Sequence, residues 1–163
     1  AVTGRAAVLA FALAACSRGE RELGGAIRAY DDELVRAYRT GDTSRLARFA
    51  GAKEAAKVRV LVDLKSASRL VLESTLEAFE VVRVERGASP DAVSVETRER
   101  WRYTDRHLDP GEPPGPTFVS EMTMRYALVR EGGGWKVHEV TTLESRRAEE
   151  APGAGRDAPG GPR

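Results

Sequence analysis

Between Val93 and Thr104 the chain alternates without a break. Val93, Val95, Thr97, Glu99, Trp101 and Tyr103 fall on one parity, and Ser94, Glu96, Arg98, Arg100, Arg102 and Thr104 on the other. A two-residue period sends successive side chains to opposite faces of a β-strand. One face here is apolar and aromatic except at Thr97 and Glu99; the other is polar and charged. Such a strand is stable only in a sheet with one covered side, so the rest of the chain must supply both partner strands and a cover.

Partner strands are legible on either side. Arg69 to Arg86 is rich in Val, Leu, Thr and Phe and accepts no helical stripe free of charges, which predicts one long strand bent near Glu73–Glu77. Gly87-Ala88-Ser89-Pro90-Asp91 is a turn. Residues 106–117 carry four prolines and two glycines and read as a loop. A strand returns with Met122, Met124, Tyr126 and Leu128 on one face, and Glu131-Gly132-Gly133-Gly134 turns the chain into a last strand with Trp135 and Val137.

The cover comes from the first half. Leu23, Ile27, Tyr30, Leu34 and Tyr38 recur at steps of four, three, four and four, one stripe on a helix. Gly41 ends it. Asp42, Thr43 or Ser44 can cap a short second helix with Leu46 and Phe49, and Gly51 precedes a third over about residues 52–67. The fold class expected is α+β: about three N-terminal helices packed on a curved, cone-like, four-stranded antiparallel sheet.

The extreme N-terminus points elsewhere. Ala6 to Ala15 is an unbroken apolar or small run about 15 Å long as a helix, half of what a bilayer core requires. It ends in Leu13-Ala14-Ala15-Cys16, which resembles the lipobox of bacterial lipoproteins: residues 1–15 would be the signal peptide and Cys16 the lipidated first residue of the mature chain. Cys16 is the single cysteine, so no internal disulfide is possible. Residues 16–20 read as a lipidated tether, 21–145 as the domain and 146–163 as a disordered tail of Ala, Pro, Gly and charge. Ser17 after the cysteine resembles the pattern that permits outer-membrane sorting in Gram-negative cells. The expected location is the bacterial cell envelope, outside the cytoplasm and held to the membrane through the lipid on Cys16.

MRYALVREGGGWKVHEV, residues 124–140, resembles the closing hairpin of nuclear-transport-factor-two-like cone domains. TRERWRYTDRHLDP followed by YALVREGGGWKV is similar, within them, to the intermembrane-space domain of plastid division proteins and its bacterial relatives. The resemblance implies three helices wrapped on a curved sheet and a domain used to dock protein partners. Its motif is one of packing and fixes no reaction.

Composition removes several chemistries. Without Arg5 the mature chain has 25 basic and 25 acidic residues, interleaved in sign, so no nucleic-acid footprint is expected. There is no Asn or Gln anywhere, and no phosphate loop, nucleophile elbow or zinc-type spacing. Neither a cofactor nor a metal is expected; Asp105-x-His107-x-Asp109 offers alternate ligands at a strand exit with no second cluster to complete a site. Asp31-Asp32-Glu33 reads as a solvated helix face, His138 as outward-facing, and the Met122/Met124 pair as core.

Glu99 is the residue of interest. Its parity puts it among Val95, Trp101 and Tyr103, where a carboxylate could act as a general base, or could be paired with an arginine near the sheet rim. Glu99, Trp101, Tyr103, Tyr126 and Trp135 are the candidate ligand-facing residues, with Trp135 expected between sheet and first helix against Leu34 or Tyr38. Two functions follow: a membrane-anchored, non-catalytic protein-docking domain, or a cone that binds a small apolar ligand or performs acid–base chemistry through Glu99. A filled interior favours the first, and an open pocket of several hundred Å³ reaching Glu99 the second.

Overall fold

A computed structural model describes residues 6–148, with side chains from Gly19 onward. The signal-peptide and lipid-acceptor roles expected of residues 1–15 and Cys16, and the tail beyond Ala148, lie outside the described side chains and residues.

Helix α1 spans Ala6–Thr40, helix α2 Ala52–Ala67, and four strands follow: β1 Leu70–Arg86, β2 Ala92–His107, β3 Thr117–Glu131 and β4 Gly134–Ala148. The strands form one antiparallel sheet in the order β1-β2-β3-β4, a plain meander. The fold is therefore α+β with a four-stranded antiparallel sheet, as its alternation requires.

Among the described residues two α-helices are present where three were expected. The segment between Gly41 and Gly51 is too short to cap and propagate a helix and makes one 3₁₀ turn, Leu46–Arg48, which buries Leu46. Its end is drawn out to β4 instead: Gly51 N–H donates to the Val137 carbonyl and Val137 N–H to the Phe49 carbonyl, each at 2.9 Å. A Cβ on Gly51 would stand 3.0 Å from the His138 ring, so glycine lets this strand approach.

Two domain boundaries also move. Residues 16–20, expected as an irregular tether, continue α1, since nothing in Ser17-Arg18-Gly19-Glu20 forbids helical backbone. Strand β4 continues to Ala148, where Arg146 and Ala148 pair with Glu121 and Val119, so the sheet claims three residues expected in the tail.

The core lies between helices and sheet. Leu23, Ile27 and Tyr30 of α1 and Val58 and Val62 of α2 meet Val93, Val95, Tyr126, Leu128 and Val137, all at most 5% exposed. β1 bends at shifts between Leu76 and Ala78 and between Val81 and Arg83, which curl the sheet around the helices. On its outer face Arg100 binds Glu77 and Glu121 at 2.9 and 2.8 Å, and Arg125 binds Glu96 at 2.6 Å, which accounts for the charged parity of β2.

Candidate functional site

The covered face of the sheet is not filled throughout. Between α1, α2 and the wide end of the sheet lies a cavity of about 360 Å³, within the range of small-molecule sites. Glu99, Trp101, Tyr103 and Tyr126, all expected to face a ligand, line it. The helices add Tyr30, Asp31, Tyr38, Glu54 and Lys57. Lys57 and Leu61 are partly exposed and place the mouth beside α2. A second depression of about 520 Å³ runs from Phe79 to Arg146, but Glu121 there is already bound by Arg100 and Arg146.

Glu99 is 3% exposed and has no arginine partner among the described residues, contrary to the paired reading. Three neutral donors hold it instead. Thr97 Oγ1 donates to Oε1 at 2.6 Å, the Tyr126 hydroxyl to the same oxygen at 2.8 Å, and Trp101 Nε1 to Oε2 at 2.6 Å. Thr97 and Trp101 are its neighbours two positions away on the same strand face. Tyr126 comes from β3, where Glu99 is paired with Met122 and Val95 with Tyr126.

Asp31, expected in solvent, is 1% exposed, and Glu33 is 3% exposed; only Asp32 of that triplet is open. Helix α1 is covered by the sheet on one side and by the 3₁₀ segment on another, so its buried arc is wider than its apolar stripe. Glu33 is bound by Arg36 at 2.7 Å and approached by Arg45 at 3.5 Å. Asp31 has no such cation. Its Oδ1 lies 3.5 Å from the Tyr126 hydroxyl, and its Oδ2 has no partner. Burial, reinforced by the Glu99 charge, pushes its carboxyl up to about 9, so it holds its proton at neutral pH. Desolvation also raises the phenols of Tyr30, Tyr103 and Tyr126, and that of Tyr38 to about 12.

Glu54 is 4% exposed, accepts from the Tyr30 hydroxyl at 2.9 Å and binds Lys57 at 2.9 Å. Ser74 Oγ, 8% exposed on β1, has no partner. Among the described residues the two unsatisfied buried side-chain atoms, Asp31 Oδ2 and Ser74 Oγ, thus belong to residues lining one cavity.

Trp135 does not reach it. It pairs with Arg130 at the end of the last hairpin, half-buried, with the Arg130 guanidinium 4.8 Å from its ring centroid. The partner of Tyr126 across that hairpin is Val140, because a shift between Ala127 and Leu128 displaces the register. Met122 and Met124 line the cavity, and Met124 also packs on the core. His138, partly exposed, has Nε2 2.7 Å from Glu131 Oε1. In the Asp-x-His-x-Asp exit, Asp105 is bound by Lys65 at 2.7 Å and Asp109 by Arg69 at 2.8 Å. Among the described residues no group of three or more His, Cys, Asp or Glu could hold a metal ion.

The fold has known counterparts. The intermembrane-space region of the chloroplast protein ARC6 superposes with a TM-score of 0.68 at 19% identity, over 76% of this chain and 95% of that one. A periplasmic fragment of TraM gives 0.49 at 16% identity, over 76% and 97%. A hexachlorocyclohexane dehydrochlorinase, LinA type 2, gives 0.47 at 10% identity, over 82% and 94%. The ARC6 likeness is one of fold and agrees with the closing-hairpin resemblance. No protein-family model and no curated sequence matches the chain.

Proposed function

We propose that the domain works by binding, and that a small, largely apolar molecule occupies the cone cavity. One observation carries this: about 360 Å³ of space walled by aromatic and methionine side chains is also lined by Asp31 and Ser74, the residues that hold the two unsatisfied buried polar atoms among the described residues. Buried polar groups are nearly always hydrogen-bonded, and sites for small molecules combine apolar walls with a few convergent polar atoms. A catalytic reading through Glu99 is less well supported, since both its oxygens are already engaged by protein donors.

The test uses the two tryptophans. In a Trp135→Phe chain the remaining Trp101 reports on the cavity. Titration with the apolar fluorophore N-phenyl-1-naphthylamine is expected to quench Trp101 saturably with one-to-one stoichiometry. No quenching, or quenching unaffected when Ser74→Phe narrows the cavity, would overturn the reading.

A docking role, the expectation implied by the plastid division family, is the second reading. It is supported by Val60, Leu61 and Leu64 on α2, which are 59, 38 and 62% exposed, Leu61 also lining the cavity. In both readings the domain is carried on the envelope side of a membrane by lipid on Cys16, supported by the Leu-Ala-Ala-Cys sequence. Among the described residues no helix is long and apolar enough to cross a membrane. Photo-crosslinking from position 64 tests the docking role: a discrete adduct absent when the probe sits at Arg98 supports it, and identical patterns at both positions refute it.

A further inference from the structure

The ligand's chemical class can be read from the cavity walls, on the assumption that the cavity is a binding site. Its charged lining consists of Asp31, Glu54, Glu99 and Lys57. Lys57 is spent on Glu54 at 2.9 Å. Asp31 and Glu99 remain, joined through the Tyr126 hydroxyl; among the described residues neither forms a salt bridge, and Arg28 acts on Asp31 only from beyond salt-bridge distance. Beside them Trp101 and Tyr103 stack at 6.0 Å between centroids, 15° from parallel, and form one continuous aromatic wall. Tyr30 meets Tyr126 edge-on at 6.4 Å on the opposite side.

Acidic groups without a counter-charge, set among aromatic faces, recognise ammonium groups. Ring quadrupoles attract a cation, and the attraction is strongest where water is excluded. We propose that the cone cavity receives an organic ammonium ligand, its cationic head beside the Asp31 carboxyl and its apolar body along the Trp101–Tyr103 wall. An anionic ligand would meet the Glu99 charge. A neutral ligand would leave Asp31 protonated and its second oxygen without a partner.

The two carboxyl groups are arranged as this requires. Two carboxyl groups sharing one hydroxyl in a desolvated site cannot both ionise cheaply, and Asp31 is the one that keeps its proton. The groups facing Asp31 are few. Arg28, Asp32 and Tyr30 act from α1 itself, and the Arg28 guanidinium is over the Phe79 ring at 4.9 Å. Glu99 and Tyr103 face it from β2 and Tyr126 from β3, while Glu54 and Lys57 of α2 line the same space. From β1 and β4 the cavity receives Leu72, Ser74, Val140 and Thr142, none of which titrates. An incoming ammonium would supply the missing charge, and the Asp31 proton would leave to solvent. Charge balances: one cation enters and one proton departs.

Calorimetric titration of the full chain with 4-phenylbutylamine and with its neutral isostere 4-phenylbutan-1-ol tests this. The amine is expected to bind at least tenfold tighter at pH 7. Repeating the titration in buffers of different ionisation enthalpy should give about one proton released per amine bound and none per alcohol. Amine affinity should also rise as pH goes from 6 to 8. Asp31→Asn should abolish the preference while leaving alcohol binding in place; the proton count on the unaltered chain stands whether or not that variant folds. Equal affinities, or no proton release, would overturn the ammonium proposal and leave the binding reading intact. Binding of neither compound would overturn both.

Discussion

The indole N–H of Trp101 donates to the carboxylate of Glu99 at 2.6 Å, a bond between neighbours on one face of one strand. With Thr97 on the other side, β2 solvates its own buried acid through side chains that the strand's pleat places beside it. Glu99→Ala would leave Thr97 and Trp101 without an acceptor and Tyr126 with only its long contact to Asp31; each lost acceptor costs about 1–3 kcal/mol, partly offset by relief of the buried carboxyl. The variant is expected to lose about 2 kcal/mol or more. Urea melts decide it: a variant as stable as the parent would mean that Glu99 is strained in place rather than solvated.

Asp31 contributes to the pH dependence of stability with an unusual sign. Asp31 titrates from an ordinary 3.8 in the unfolded chain to about 9 in the folded one. Between those values the folded state binds the extra proton. Asp31 therefore stabilises the fold fully below pH 4 and progressively less as pH rises toward 9, opposite to a salt-bridged carboxylate. The slope it contributes is at most about 1.4 kcal/mol per pH unit. Asp31→Asn should flatten the fall in stability between pH 5 and 9, read from urea midpoints; an unchanged slope would count against the burial of an uncompensated acid.

Strand β4 makes the C-terminal boundary testable. Truncation after Ala148 keeps the whole of β4, removes residues whose composition reads as a tail, and should change stability by no more than about 0.5 kcal/mol. Truncation after Thr142 removes the partners of Val119 through Thr123 and uncovers Val119, which is 3% exposed. That shorter chain should melt measurably lower. Equal melting of the two would place the functional edge of the sheet before Leu143.

Anchoring is expected to depend on one sulfur. Cys16→Ala should abolish incorporation of radiolabelled palmitate and release the protein from membranes, because acylation needs the thiol. Equal labelling of variant and parent would refute the lipid assignment.

Residue parity carried much of this structure in plain sight. The alternation of Val93 to Thr104 placed Glu99, Trp101 and Tyr103 on the covered face, where they are found. What local pattern could not give was the partner of Glu99, because Tyr126 arrives from another strand in a register set by the tertiary structure. Asp31 was hidden by its neighbours: three acids in a row read as solvent-facing. A signal was nonetheless present, since Asp31 stands four residues after Ile27 and three before Leu34, at helical spacing within the apolar stripe. Trp135 was misplaced for a different reason. Its position beside a glycine turn fixed its strand, but the irregular pairing after Ala127 decided which residues it could meet.

The meander has a consequence for the order of events during synthesis. Each strand pairs with its immediate successor, so the sheet can zip from hairpin to hairpin with little loop to close. Helix α1 is made first, yet the surfaces that cover it come from strands made long afterward. Ala50 must likewise wait for Val137, 87 positions later, to complete its bridge. The nascent chain therefore begins to cover the apolar face of α1 only when β1 emerges and finishes when the last hairpin closes, a window in which a holding chaperone has most to do.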